Sequence, residues 1–357
     1  MELENKITDA MHRIEDVFNE TEGKCYVSFS GGKDSTVILA LIKMCEELYT
    51  IPKNGIVAVF CDTGIELGAT RDFVRWCKEN WYPNIEIIRP EKSFSWVLDN
   101  KGKPIKSKMK SDYIGRYQRT RNNETLSFQY ILGVGKDGKI YKKTKLADKD
   151  MHMIHDDFDI KASSKCCEFL KKKPFEKYQK EKGFKGYIQG IRTGEGGVRE
   201  MSANKRVHNG GKICTATKGD YIVKMPIIDW SNDDVDQFIE KYNVPLSKAY
   251  TEYGLKRTGC MGCPFAVSIA SNLEVLYKHE PNRYKASMHW LKDVYIAQNV
   301  ILPFDENYEK ERKQKWEDEY FDMRNEMLMK YRPNSRLCKK NLDFKQLEMN
   351  FDRKEEK

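Results

Sequence analysis

Apolar positions recur at helical spacing between residues 4 and 20, where Ile7, Met11, Ile14 and the pair Val17 and Phe18 share one face. The period then changes. Cys25-Tyr-Val-Ser-Phe29 is a short β-branched and aromatic run, predicting a strand that ends at a Gly-Gly turn. A second helix follows with Val37, Leu39, Leu41 and Ile42. Gly55-Ile-Val-Ala-Val-Phe60 is almost wholly apolar, as strands are when helices cover both faces of a sheet. Residues 70–79 predict another helix and 85–88 another strand. This strand–helix alternation predicts an α/β fold with a doubly wound, mostly parallel sheet.

The pattern breaks near residue 100. Residues 101–125 have no clean period, and 128–134 with 140–144 predict a β-hairpin turning at Asp137-Gly138. Residues 101–162 therefore read as an insertion on the sheet surface. The α/β pattern resumes with a helix over 167–180, strands over 186–191 and 222–225, and a helix opening at Ser231. There Ser-Asn-Asp-Asp supplies an N-cap and an acidic first turn, and Val235, Phe238 and Ile239 a buried face. Beyond about residue 270 the chain is helical and heavily charged, with frayed final residues. The expected division is 1–270, holding the sheet and its insertion, and 271–357, a helical C-terminal region.

Composition adds two constraints. No apolar run is long enough to span a membrane and residues 1–16 lack a signal-peptide core, so a cytoplasmic protein is expected. In that compartment thiols stay reduced, and closely spaced cysteines are read first as metal ligands or redox groups. The net charge of +9 is local: residues 101–150 hold 14 Lys and Arg against 5 Asp and Glu, and the remainder of the chain balances. Tyr113, Tyr117, Phe128, Tyr130 and Tyr141 interleave with these cations. Such a stretch either contacts nucleic acid, through phosphates and stacked bases, or is a solvated lysine-rich face.

The most specific local signal is Ser28-Phe-Ser30-Gly31-Gly32-Lys33-Asp34-Ser35, between a strand and a helix. Glycines let backbone approach phosphate oxygens, and N–H groups at the helix start point at the anion. Lys33 and the Ser30 and Ser35 hydroxyls add donors. The loop is not a Walker A loop, since Asp34 replaces the Ser/Thr and Val27 stands where the first Gly is needed. An ordinary glycine turn is the alternative. Asp62-Thr63-Gly64 closes the second strand, where Asp62 suits a ribose hydroxyl, magnesium or a helix cap. Gly190-Ile-Arg192 through Arg199 places two arginines on a glycine-rich loop, either a bidentate anion site or an incidental surface loop.

Four cysteines stand out: Cys166-Cys167, and Cys260-Met-Gly-Cys263 in a glycine-containing loop. Cys-x-x-Cys spacing is shared by zinc sites, redox motifs and Fe–S ligands. Cys25, Cys45, Cys61 and Cys77 lie in apolar segments and read as core residues. Cys214 lies near the arginine loop, and His152 and His155 are three apart in the insertion; neither observation fixes a role.

These motifs resemble one family. Ser-Gly-Gly-Lys-Asp-Ser matches the PP-loop of ATP pyrophosphatases, with the adenine nucleotide alpha hydrolase-like fold. Asp62-Thr63-Gly64 followed by Thr70, and Gly190-x-Arg192 with Arg199, resemble elements of the phosphoadenosine/adenosine phosphosulfate reductase family. Lys165-Cys166-Cys167 with Lys171 and Pro174, and the stretch from Asp229-Trp230-Ser231 to Cys263, resemble its iron–sulfur members. The resemblance covers residues 24–98 and 163–266. It implies an adenine nucleotide (ATP, or adenylyl or phosphoadenylyl sulfate), contacts from Arg192 and Arg199 to its anionic end, and a thioredoxin-like electron donor. It further implies one [4Fe–4S] cluster on Cys166, Cys167, Cys260 and Cys263, with zinc as the alternative. Two departures stand beside it. The family's mobile terminal segment carries a catalytic Cys before Gly, whereas the cysteine available here is Cys338, in Ser335-Arg-Leu-Cys-Lys-Lys340; and the phosphosulfate reductases usually lack the lysine found as Lys33. Three activities follow as expectations: reduction of activated sulfate with Cys338 as nucleophile, ATP cleavage with Lys33 at the phosphates to activate a sulfur acceptor, or nucleotide- and cluster-dependent regulation.

Overall fold

The structure, a computed structural model, describes residues 2–195, 204–205, 207–208 and 213–338. The chain divides into two compact units, Met1–Ser93 with Phe169–Cys260, and Phe94–Glu168 with Met261–Lys357.

In the first unit, β1 (Cys25–Ser28), β2 (Val57–Cys61), β3 (Ile85–Ile88), β4 (Gly186–Ile188), β5 (Thr215–Lys218) and β6 (Tyr221–Lys224) form one sheet. Their order is β3-β2-β1-β4-β6-β5. All neighbours pair in parallel except β5, which runs antiparallel to β6. The chain winds outward from β1 to β3, then returns to β4 on the other side of β1. That reversal opens a crevice beyond the C-terminal ends of β1 and β4, where open α/β sheets bind ligands.

Both faces of the sheet are covered, as the apolar strands require. Successive β1 side chains point to opposite faces. Val27 joins Ile14, Leu41 and Phe238, contributed by helices Leu3–Glu20, Lys33–Glu47 and Asn232–Lys241. Tyr26 joins Tyr178 of helix Lys173–Lys182, with Tyr187 and Val223. Each such side chain, fully buried, contributes about 1.5–3 kcal/mol. Ser231 and Asp234 form the capping box that starts helix Asn232–Lys241, and Lys6 reaches Asp234 at 2.5 Å.

The second unit is helical, and here the sequence expectations need correction. Of residues 128–134, expected as a strand, the first five fall in helix Leu126–Leu132. Thr125 caps it at Phe128 N–H, and Gly133, at φ +80°, ends it. These end signals outweigh the strand-like composition between them. Of the expected hairpin only one antiparallel bridge, Val134 with Ile140, remains. The aperiodic stretch contains helix Lys108–Thr120, capped by Ser107. Residues 101–162 group with helices Ile269–His279, Pro281–Ala297, Glu306–Lys315 and Phe321–Tyr331 in this unit. His152 is core: its Nε2 bonds Ala297 O at 2.9 Å and its ring packs on Trp316 and Tyr320. Burial pushes its pKa down to about 3, so it stays neutral. His155 pairs with Glu326. Among the described residues no helix is long and apolar enough to cross a membrane.

Candidate nucleotide site

The Ser28–Ser35 loop leaves β1 and enters helix Lys33–Glu47 at the sheet's reversal point. Gly31 sits at φ +69°, and a Cβ there would lie 2.9 Å from Val74 Cγ2, so both conformation and space require glycine. Two serines fasten the turn. Ser30 Oγ accepts from Gly32 N–H at 3.3 Å, and Ser35 Oγ accepts from Ser30 N–H at 3.1 Å. Ser35 Oγ donates in turn to Gly32 O at 2.9 Å. The Lys33 N–H donates to Tyr250 Oη at 3.0 Å, and that hydroxyl also accepts from Thr258 N–H. Lys33 Nζ reaches Asp236 at 2.6 Å.

Arg192 lines the larger of two cavities over this loop, as a nucleotide-contacting residue would, and its guanidinium is held by protein groups. Its side chain is buried, with Nε on Asp34 Oδ1 at 2.9 Å and both Nη atoms on Asn232 Oδ1 at 3.1 Å. The guanidinium thus braces the start of one helix against the start of another at the cavity wall. Gly190 permits the approach: a Cβ there would sit 2.8 Å from Asp34 O. Arg199 lies outside the described residues.

Two cavities meet over the loop. The larger, about 980 Å³, is lined by Ser28, Ser30, Lys33, Gly190, Asp236 and Tyr250 among others. The smaller, about 300 Å³, lies towards β2 and is lined by Tyr26, Phe60, Cys61, Glu66, Lys171 and Phe175 among others. Ser28, Ser30, Gln189 and Thr258 border both. Thr70 and Gln179, which line the smaller cavity, each carry a buried polar atom that lacks a hydrogen-bond partner among the described residues, Thr70 Oγ1 and Gln179 Nε2. Burying such a group unpaired costs about 1–3 kcal/mol.

Asp62, Thr63 and Gly64 border neither cavity. Asp62 Oδ2 lies 3.0 Å from Arg71 and 3.7 Å from Arg89, and Oδ1 accepts from Gly64 N–H at 3.2 Å. The carboxylate closes a local turn and is paired with arginines; it caps no helix, since the helix that follows, Gly68–Asn80, has Leu67 at its N-cap. The carboxylate beside the smaller cavity is Glu66, which accepts from Thr63 N–H and Oγ1 and lies 3.8 Å from Lys171 Nζ. Sequence reasoning missed Glu66, Gln179, Asp236, Tyr250 and Thr258 as site residues. Their roles come from the fold, not from local spacing.

No cysteine is in a disulfide. Cys25, Cys45, Cys61 and Cys77 are buried as expected, and burial pushes their thiols up, to about 11 for Cys25 and about 12 for the others. Cys166 is buried, and Cys167, Cys260 and Cys263 are half-buried. Cys260 bridges Glu66 through the backbone. The four motif thiols are donors of the kind a cluster or zinc takes. Among the described residues, however, no three His, Cys, Asp or Glu are gathered into a metal-holding group. Cys338 departs from the expected mobile segment: it is 4% exposed, and its N–H bonds Ser335 Oγ. That burial withholds the access an attacking thiolate needs.

A solved structure of phosphoadenylyl-sulfate (PAPS) reductase from Candida auris, in phosphate complex, is similar at 14% identity, covering 69% of this chain and 87% of that one, with a TM-score of 0.39. Comparison with curated proteins gives no match. The sequence profile of the phosphoadenosine phosphosulfate reductase domain matches residues 24–131 and 127–266. That span is well over half of the chain, which therefore belongs to the phosphoadenosine phosphosulfate reductase domain family.

Proposed function

We propose that the first unit binds an adenine nucleotide for sulfur chemistry, the reduction of activated sulfate to sulfite. The observation that carries this reading is the pair of cavities meeting at the Ser28–Ser35 loop, one polar with Lys33 and a helix N-terminus, the other aromatic-walled. Anionic groups suit the first cavity. A planar base suits the second, whose lining adds the polar residues Thr70, Gln179 and Gln189 to its aromatic walls. In the reaction a cysteine thiolate attacks the sulfur of the phosphosulfate, the S–O bond to phosphate breaks, and the nucleotide leaves as its phosphate. A dithiol donor of thioredoxin type then releases sulfite from the S-sulfocysteine and becomes a disulfide.

Lys33 favours a second reading, in which ATP is cleaved to an adenylated acceptor and pyrophosphate, because this lysine lines the larger cavity. The assay that separates them measures sulfite from both phosphosulfate nucleotides with thioredoxin, and pyrophosphate from ATP. Release of sulfite supports the reductase; pyrophosphate alone supports the second reading; neither product overturns both. We expect Cys338→Ser to retain sulfite release, since that thiol is buried, which would make Cys214 the next thiol to test. Loss of sulfite release would assign the attack to Cys338 after it leaves its buried position.

Lys33→Ala removes a charge-assisted contact of about 1.5–3 kcal/mol, so nucleotide affinity should fall roughly 10- to 150-fold with the fold intact. Calorimetry with ATP and with adenylyl sulfate measures it. Unchanged affinity would mean that Lys33 does not hold the phosphates.

A further inference from the structure

The excess positive charge of residues 101–150 falls wholly within the second unit. There three tyrosines from separate segments form a row. Tyr113 of helix Lys108–Thr120 and Tyr130 of helix Leu126–Leu132 have ring centroids 4.8 Å apart, and Tyr130 and Tyr141 are 4.7 Å apart. All three rings are partly exposed, and Val134 and Ile140, beside Tyr141, are exposed apolar side chains at 52% and 66%. Cations border the row: Lys139 Nζ stands 5.8 Å from the Tyr141 centroid, and Lys142 and Lys145 are exposed. Among the described residues Lys139, Lys142 and Lys145 make no ion pair, so their charge is not cancelled locally.

A solvated basic face does not need aromatic rings and branched apolar side chains at its surface. A membrane surface would want a longer apolar stripe than this short row provides. Exposed rings set among unpaired cations instead match a strand that presents both bases and phosphates. A duplex keeps its bases stacked inside and would leave the rings unused. We propose that the second unit binds single-stranded nucleic acid, with bases against the Tyr113, Tyr130 and Tyr141 row and phosphates on the flanking lysines. This site is independent of the nucleotide-binding reading.

Fluorescence anisotropy of the full chain with labelled 20-mer single strands of DNA and RNA, and with duplex DNA, tests it. Single strands should bind more tightly than duplex, with affinity falling steeply as salt rises. Tyr141→Ala should weaken binding about tenfold, with Tyr141→Phe restoring most of it. Lys139→Glu with Lys142→Glu should weaken it at least about tenfold and flatten the salt dependence. Lys33→Ala should leave it unchanged, so failure here is distinct from failure of the nucleotide site. Thermal melts establish that each variant is folded. Absence of binding at low salt overturns the proposal. So does equal binding of heparin, duplex and single strand with no effect of Tyr141→Ala, which would reduce the surface to a general polyanion face.

Discussion

Arg192→Met is expected to lower the stability of the first unit by about 3–5 kcal/mol, the range for stranding one partner of a buried ion pair. The guanidinium has only 6% exposure and serves Asp34 and Asn232 together. Removing it leaves the Asp34 carboxylate and the Asn232 carbonyl without their donor. Asp34 retains 18% exposure and sits in the first turn of its helix, where the dipole stabilises a carboxylate by about 0.3–1 kcal/mol. The loss should therefore lie near the lower bound, a drop in Tm of roughly 6–12 °C for a unit of this size. Arg192→Lys should behave almost as badly, because an ammonium cannot reproduce the planar fork that spans both partners. Adding Asp34→Asn to Arg192→Met should recover part of the loss, since no charge is then left behind. An unchanged Tm accompanied by weakened nucleotide binding would instead return Arg192 to the anion-contacting role that its motif suggests.

What made this brace invisible in the sequence also explains the other misses. Arg192 and Asp34 are 158 residues apart, Lys33 and Asp236 203, and Lys33 and Tyr250 217. Periodicity sees neighbours on one element, so it placed β1, β2, β3 and the helix after the loop, and motif spacing placed the loop itself. It could not see that β4 returns beside β1, which is the step that brings Gly190 and Arg192 onto the loop. Likewise nothing near Asp62 announces Arg89, carried just beyond β3 on the adjacent strand. The misread of residues 128–134 has a different origin. Phe128, Tyr130 and Ile131 have strand-like composition, and helix Leu126–Leu132 is too short for its period to show. Its Thr125 cap and Gly133 stop were the legible signals.

Cysteine substitution should separate ligands from core thiols. We expect protein purified without oxygen to be brown, with a broad absorbance band near about 400 nm, if Cys166, Cys167, Cys260 and Cys263 carry a thiolate-bound iron–sulfur cluster. Cys260→Ser should bleach it, because a hydroxyl is a far poorer iron ligand than a thiolate. The loop that holds this cysteine has Gly262 at φ +56°, and a Cβ there would collide with Tyr295 Oη. The turn between Cys260 and Cys263 is thus shaped by a residue that cannot readily be replaced, and Gly262→Ala should also lower cluster content. Cys61→Ser supplies the control. Its thiol donates to Leu170 O at 3.2 Å and is pushed up to about 12 by burial, so it is poorly suited to the deprotonation that ligation requires. Colour should survive there and disappear in Cys260→Ser, with iron and sulfide measured per chain in each. A colourless wild type holding one zinc per chain would replace the cluster with the tetrahedral alternative. A wild type holding neither metal would remove these cysteines from metal chemistry altogether.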